Sequence, residues 1–112
     1  MKLFKIAMLS FIAAGLMFFV ACTTGNAEKG KTLFNDVTFG NGTKGKSCNS
    51  CHSDGKGLEK SGEKKEFNIM GQKQNSLEEA VNFCIETALK GKAIDPQSED
   101  MTDIVAYIKS LK

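Results

Sequence analysis

The hydrophobic pattern divides the chain into one unbroken apolar run near its start and three later segments with the period of a helix. Residues 6–21 are apolar or small throughout, and Lys2 and Lys5 precede them. A basic start followed by such a run is typical of an export signal, whereas roughly 18 or more apolar residues are typical of a membrane span. We therefore predict that residues 1–21 are an export signal that precedes the folded domain.

Two cleavage sites are compatible with the residues that follow. Apolar residues, then Ala21 and Cys22, form the pattern of a bacterial lipoprotein signal, in which Cys22 becomes the lipidated first residue and anchors the domain to a membrane. Alternatively, the small residues Gly25 and Ala27 suit ordinary signal peptidase, which would cleave after Ala27. Both alternatives place the domain in the periplasm or on the extracytoplasmic face of the membrane.

The helical segments all lie after this signal. The first is predicted over 27–36. The second begins at Ser76, which forms a capping box with Glu79, and it stops at Gly91. The third has Ser98 as its N-cap. Its apolar stripe consists of Met101, Ile104, Val105, Ile108 and Leu111.

The remaining composition describes a small and electrically balanced domain. No segment alternates like a strand, so we expect an all-α domain over residues 28–112, with three to four short helices and long loops such as 53–75. A domain with so little apolar material usually requires disulfides, a metal or a cofactor for stability.

The chain has 15 Lys, no Arg and 13 acidic residues, and removal of Lys2 and Lys5 balances the charges. A nucleic-acid binder would be clearly basic, so we predict no nucleic-acid partner.

Residues 48–52 contain the side chains that could bind a stabilising cofactor. Their sequence, Cys-Asn-Ser-Cys-His, has the spacing of c-type haem attachment. Positions i, i+3 and i+4 of a helical turn share one face, so the two thiols and the imidazole point the same way. Cys48 and Cys51 can form thioethers with the two vinyl groups of one haem, and His52 can bind the iron as the proximal ligand. We predict one covalently bound haem c, around which the helices pack.

The residues alone do not identify the sixth iron ligand. His52 is the only histidine, which excludes a second imidazole from this chain and leaves too few ligands for a zinc site. Met101 lies on the apolar stripe and Cys84 on the inner face of its helix, where both suit core packing. Met70 lies in a glycine-flanked loop that can fold over a haem. Lys92 and an open site are the remaining alternatives.

The chain resembles a monohaem class I c-type cytochrome. Residues 28–34, Glu-Lys-Gly-Lys-Thr-Leu-Phe, are similar to the first helix of that family, and residues 104–111, Ile-Val-Ala-Tyr-Ile-Lys-Ser-Leu, to its last helix. The resemblance implies a small cytochrome c fold in which these two helices cross beside the haem. The Met-Pro sequence of that family is absent, because Asp95 precedes Pro96, and this departure weighs against ordinary His/Met ligation.

The C-terminal half resembles a narrower group, the cytochrome domains of thiosulfate dehydrogenase and of the dihaem subunit of the thiosulfate-oxidising complex. The matching residues are Val81-Asn82-Phe83-Cys84, Gly91-Lys92, Ser98-Glu99-Asp100-Met101 and Ala106-Tyr107. In that group a cysteine at the position of Cys84 is the distal iron ligand of the catalytic haem. The resemblance therefore implies Cys84 as the sixth ligand, with Met70 and then Met101 as alternatives, and it assigns Met101 to packing.

The function that these features favour is electron transfer. We predict a monomeric periplasmic cytochrome that passes single electrons between redox protein partners and touches a membrane only through a lipid at Cys22. The absence of an evident acid–base pair favours a carrier over an enzyme. The alternative is a sulfur-compound oxidoreductase of the thiosulfate type, or a subunit of one, with a Cys84-ligated haem. A gas sensor with an open sixth position is a third class, for which the sequence shows no output domain.

Overall fold

The computed structural model describes residues 25–112, so the export signal at 1–21 and the lipidation candidate Cys22 lie outside the described residues. The described part contains the helices α1 (Ala27–Phe34), α2 (Cys48–Cys51), α3 (Leu77–Thr87) and α4 (Glu99–Ser110), and the strands β1 (Phe67–Ile69) and β2 (Gln72–Gln74). Short 3-10 turns lie at Phe39–Asn41, Ser53–Gly55 and Ser61–Glu63. None of the helices within 25–112 is long and apolar enough to cross a bilayer.

Helices α1 and α4 make the most extensive contact between two elements of the described fold. Phe34 of α1 packs its ring edge-to-face on Tyr107 of α4, with 5.1 Å between the ring centroids. The backbone N–H of Asn26, the N-cap of α1, donates to the buried carboxylate of Asp103 at 2.7 Å. The two ends of the domain are therefore joined by both an aromatic contact and a polar one.

The core lies between this helix pair and α3. Its most deeply buried side chains are Phe34, Ile85, Met101 and Ile104. The surrounding cluster adds Phe39, Val81, Leu89, Val105, Tyr107 and Ile108. Met101 is 0% exposed, in agreement with the packing position that the apolar stripe predicts.

The two ends of α3 differ in detail from the pattern predicted for them. Ser76 Oγ accepts the Glu79 N–H at 3.1 Å as expected, but the Glu79 carboxylate accepts the N–H of Asn75, one residue before the N-cap. The helix ends at Thr87 rather than at Gly91. Gly91 serves a different purpose, because a Cβ there would clash with the backbone carbonyl of Gly40.

The expectation of a domain without strands is wrong for residues 67–74. Strands β1 and β2 form an antiparallel hairpin in which Ile69 lies opposite Gln72. Met70 and Gly71 form its two-residue turn, and both have positive φ, 52° and 79°. This is the conformation of a type I′ turn, which matches the twist of the strands. The pattern missed it because Met stands where Asn or Asp usually marks such a turn.

Candidate functional site

A cavity of about 650 Å³ is lined by residues of all four helices, the hairpin and the loops between them. Its volume lies within the roughly 300–1,000 Å³ that is typical of ligand and cofactor sites. Apolar side chains form most of its wall: Phe34, Leu58, Phe67, Ile69, Leu77, Val81, Leu89, Ile104 and Ile108. Such a wall favours a large apolar ligand, because binding removes the apolar surfaces of both the ligand and the wall from water.

The attachment motif forms one side of this cavity. Cys48, Cys51 and His52 all line it, as the shared face of a helical turn predicts. The turn α2 is held by its own polar residues, because Ser47 and Ser50 form a capping box in which the Ser47 N–H donates to Ser50 Oγ at 3.0 Å. Ser47 before the first cysteine and Ser50 between the two therefore hold the turn that carries the thiols.

The imidazole of His52 is oriented by the loop that follows it. Its Nδ1 lies 3.0 Å from the backbone carbonyl oxygen of Lys56. When Nδ1 carries the proton and donates to this carbonyl, Nε2 keeps its lone pair for the iron. Gly55 and Gly57, with φ of 80° and 91°, let the chain fold back around Lys56. The helical and apolar patterns do not predict this contact, and the signal for it in the sequence is the glycine on each side of Lys56.

Helix α3 brings a third thiol to the same cavity. Cys84 lines it together with Val81 and Ala88, one turn away on either side. Burial, and to a smaller extent the nearby Cys84 sulfur, raise the pKa of the Cys48 thiol to about 11. Burial, and then the Cys51 sulfur, also raise the pKa of Cys84. All three sulfurs thus belong to the lining of one cavity.

The other candidate ligands lie away from the cavity wall. Met70 is 82% exposed at the hairpin turn, and Met101 is enclosed in the core. Lys92 is exposed, and its backbone N–H donates to the Gly40 carbonyl at 2.7 Å. Of the candidate haem-attachment and iron-ligand residues within 25–112, the structure brings four to one cavity: Cys48, Cys51, His52 and Cys84.

The polar part of the cavity wall is not evident from the sequence. It consists of Lys46, Ser47, Ser61, Lys64, Glu66 and Asn68. Most of these residues belong to the long segment 53–75, where there is no helical period to show which side chains turn inward. Phe67 and Ile69 of β1 add apolar side chains to the same wall.

The residues present fit a haem c better than a bare metal ion. Within residues 25–112, no group of three or more His, Cys, Asp or Glu side chains could hold a metal ion. The thiols and the imidazole instead share a large cavity with an apolar wall. A haem matches this arrangement, since its ring is apolar, two of its edge groups form thioethers and its iron takes an imidazole nitrogen.

Comparison with known proteins agrees with this geometry. The family model for the SoxA/TsdA cytochrome c domain matches residues 29–111. No curated protein matches the chain. Among solved structures, the crystal structure of SoxXA from P. pantotrophus is similar, with a TM-score of 0.59 and 22% identity over 73% of this chain. The similar region covers 30% of that structure's chain. The predicted small cytochrome c fold is confirmed.

Proposed function

Because the chain belongs to the SoxA/TsdA cytochrome c domain family, we propose that it is a monohaem cytochrome that transfers single electrons between redox protein partners. The observation that carries the proposal is the apolar cavity lined by Cys48, Cys51 and His52. When bound there, haem c supplies an iron that gains or loses one electron. The single Cys-x-x-Cys-His motif supports one haem per chain.

Each residue of the site has a part in this function. Cys48 and Cys51 hold the haem through thioethers. The Lys56 carbonyl holds the His52 ring, and a hydrogen bond of this kind increases the basicity of a ligating imidazole. The apolar wall excludes water, which disfavours the additional positive charge of the ferric state and raises the reduction potential.

Cys84 is the sixth ligand in this proposal. It is the one candidate sulfur beyond the attachment motif that lines the cavity within residues 25–112. A thiolate donates negative charge to the iron, so it stabilises the ferric state and lowers the reduction potential. Its effect opposes that of the apolar wall, and the balance between the two sets the potential at which the protein exchanges electrons.

Optical and electron paramagnetic resonance spectra of the ferric holoprotein test this ligand. We expect a low-spin thiolate signal in the wild type and its loss in Cys84→Ser. Met70→Leu is the matched control, because Met70 is exposed at the hairpin turn. A far-red charge-transfer band typical of methionine ligation, present in the wild type and lost in Met70→Leu, would contradict the assignment to Cys84.

A sulfur-compound oxidoreductase, or a subunit of one, is the second candidate function. The observation that favours it is the thiol of Cys84 inside the haem cavity. Joining two thiosulfate ions releases two electrons, whereas one haem iron accepts one, so this chain would need a partner that accepts the second. We expect thiosulfate alone to leave the ferric spectrum unchanged. Reduction by thiosulfate that is lost in Cys84→Ser would favour the enzyme instead.

The proposed location is outside the cytoplasm, and it rests on the export signal at 1–21. Fractionation of producing cells tests it, since the holoprotein should appear in the periplasm or with the membrane. The Cys22→Ser variant separates the two cleavage alternatives. For a lipoprotein this substitution would abolish the lipid-modified mass, whereas cleavage after Ala27 would leave a soluble product of unchanged mass.

A further inference from the structure

A second cavity, of about 270 Å³, borders the haem cavity. Ser61, Lys64 and Leu77 line both of them. The charged side chains around the second cavity are three lysines, Lys64, Lys65 and Lys109, and one carboxylate, that of Glu78. The excess of cations favours an anionic ligand at the place where the two cavities meet.

Lys64 differs from the other charged residues of the haem cavity wall. The other charged side chains on that wall belong to Lys46 and Glu66. Lys46 is two residues from Cys48, so it lies beside the attachment motif. Glu66 already has a partner, because the ammonium group of Lys73 lies 2.9 Å from its carboxylate. Lys64 is therefore the cation that borders the haem cavity away from the thioether side.

The chemistry of haem provides an anion for this position. The two vinyl groups that become thioethers lie on the opposite side of the porphyrin from its two propionates. With the vinyl groups held at Cys48 and Cys51, the propionates point away from the attachment motif. A carboxylate that leaves an apolar cavity needs a cation or hydrogen-bond donors, because its charge is costly to bury alone.

Ser61 supplies a donor at the same boundary. Its side chain is 5% exposed and lines both cavities. We propose that a haem propionate passes Ser61 into the second cavity, where the Ser61 hydroxyl and the Lys64 ammonium group bind its carboxylate. The proposal rests on the haem of the proposed function.

Infrared spectroscopy of the holoprotein tests this contact directly. Cells that produce the protein on 5-aminolevulinate labelled with ¹³C at carbon 1 make haem labelled at the propionate carboxyl carbons. Redox-induced difference spectra then identify the propionate bands by their isotope shift. Lys64→Met and Ser61→Ala are expected to shift these bands, and Lys64→Arg to retain them close to the wild-type position, because it keeps the charge.

The matched control is Lys46→Met, which removes the same charge from the haem cavity wall beside the attachment motif. It should leave the labelled bands in place. Unchanged bands in both Lys64→Met and Ser61→Ala would overturn the proposal, as would an equal shift in Lys46→Met. Lys64 is exposed, so its substitution tests the contact even where Ser61→Ala disturbs folding. A wild-type chain whose mass shows no covalent haem would refute the proposed function itself.

Discussion

Gly30 of α1 lies directly against the backbone carbonyl of Asp103 in α4, with no space for a side chain between them. A Cβ at Gly30 would also lie 2.8 Å from the Cβ of Tyr107. Phe34, one turn further along α1, reaches the wall of the haem cavity. The close approach at Gly30 therefore determines the distance between α1 and α4, and with it the position of Phe34 in the cavity wall.

Replacing Gly30 with Ala should lower the free energy of unfolding of the holoprotein by about 2 kcal/mol, because a clash with backbone atoms brings the overpacking cost to about 3 kcal/mol, the upper end of its usual range. This cost exceeds the gain of about 1 kcal/mol that Ala has over Gly in a helix. Chemical denaturation measures the difference, with the exposed Lys31→Ala as a control on the same helix. A Gly30→Ala protein as stable as the wild type would show that the helices lie further apart.

Met101 is predicted to act through packing and not through its sulfur. Met101→Leu should cost less than about 1.5 kcal/mol, because it conserves volume, whereas Met101→Ala should cost about 2–5 kcal/mol. Both variants should keep the ferric absorption spectrum of the wild type, since Met101 is completely buried in the core. A change of spectrum in Met101→Leu would instead indicate that the thioether reaches the iron.

Asn82 forms hydrogen bonds that hold the segment after α3 against that helix. Its side-chain NH₂ donates to the Ile94 carbonyl at 2.8 Å, and its side-chain oxygen accepts the Ile94 N–H at 2.9 Å. Asn82→Ala removes both bonds and should cost about 1–3 kcal/mol. Hydrogen exchange should be faster at the Ile94 amide, while the exposed Glu86→Ala on the same helix should leave it unchanged. Equal exchange rates at Ile94 in Asn82→Ala and the wild type would argue against this role of Asn82.

The haem is predicted to organise the core of this domain. Cys48→Ala and Cys51→Ala should yield chains that lack the normal covalent haem and fold poorly, because the cavity of about 650 Å³ then has nothing to fill it. Mass spectrometry reports the covalent haem, and circular dichroism during heating reports the fold. Cys84→Ser is the control, since it removes a thiol of the same cavity but leaves both attachment cysteines. A compact and stable haem-free variant would refute this prediction.

The sequence by itself determines the features that depend on residues close to one another in the chain. Cys48, Cys51 and His52 lie on one face because a helical turn places positions i, i+3 and i+4 together. Ser76 and Ser98 cap their helices as expected, since each accepts the N–H of the third residue after it. The small cytochrome c fold followed from the attachment motif together with the resemblance of the first and last helices.

The tertiary structure alone decided which distant residues complete the site. Cys84, Met70 and Met101 are all sulfur residues in plausible positions, and their exposure depends on how α3, the hairpin and α4 pack. The hairpin, with its Met70-Gly71 turn, brings Phe67 and Ile69 to the cavity although the sequence shows no strand period there. Contacts of this kind depend on how each helix and the hairpin are rotated and on how deeply they pack into the core. Local sequence patterns do not specify this packing, because it involves residues that are distant in the chain.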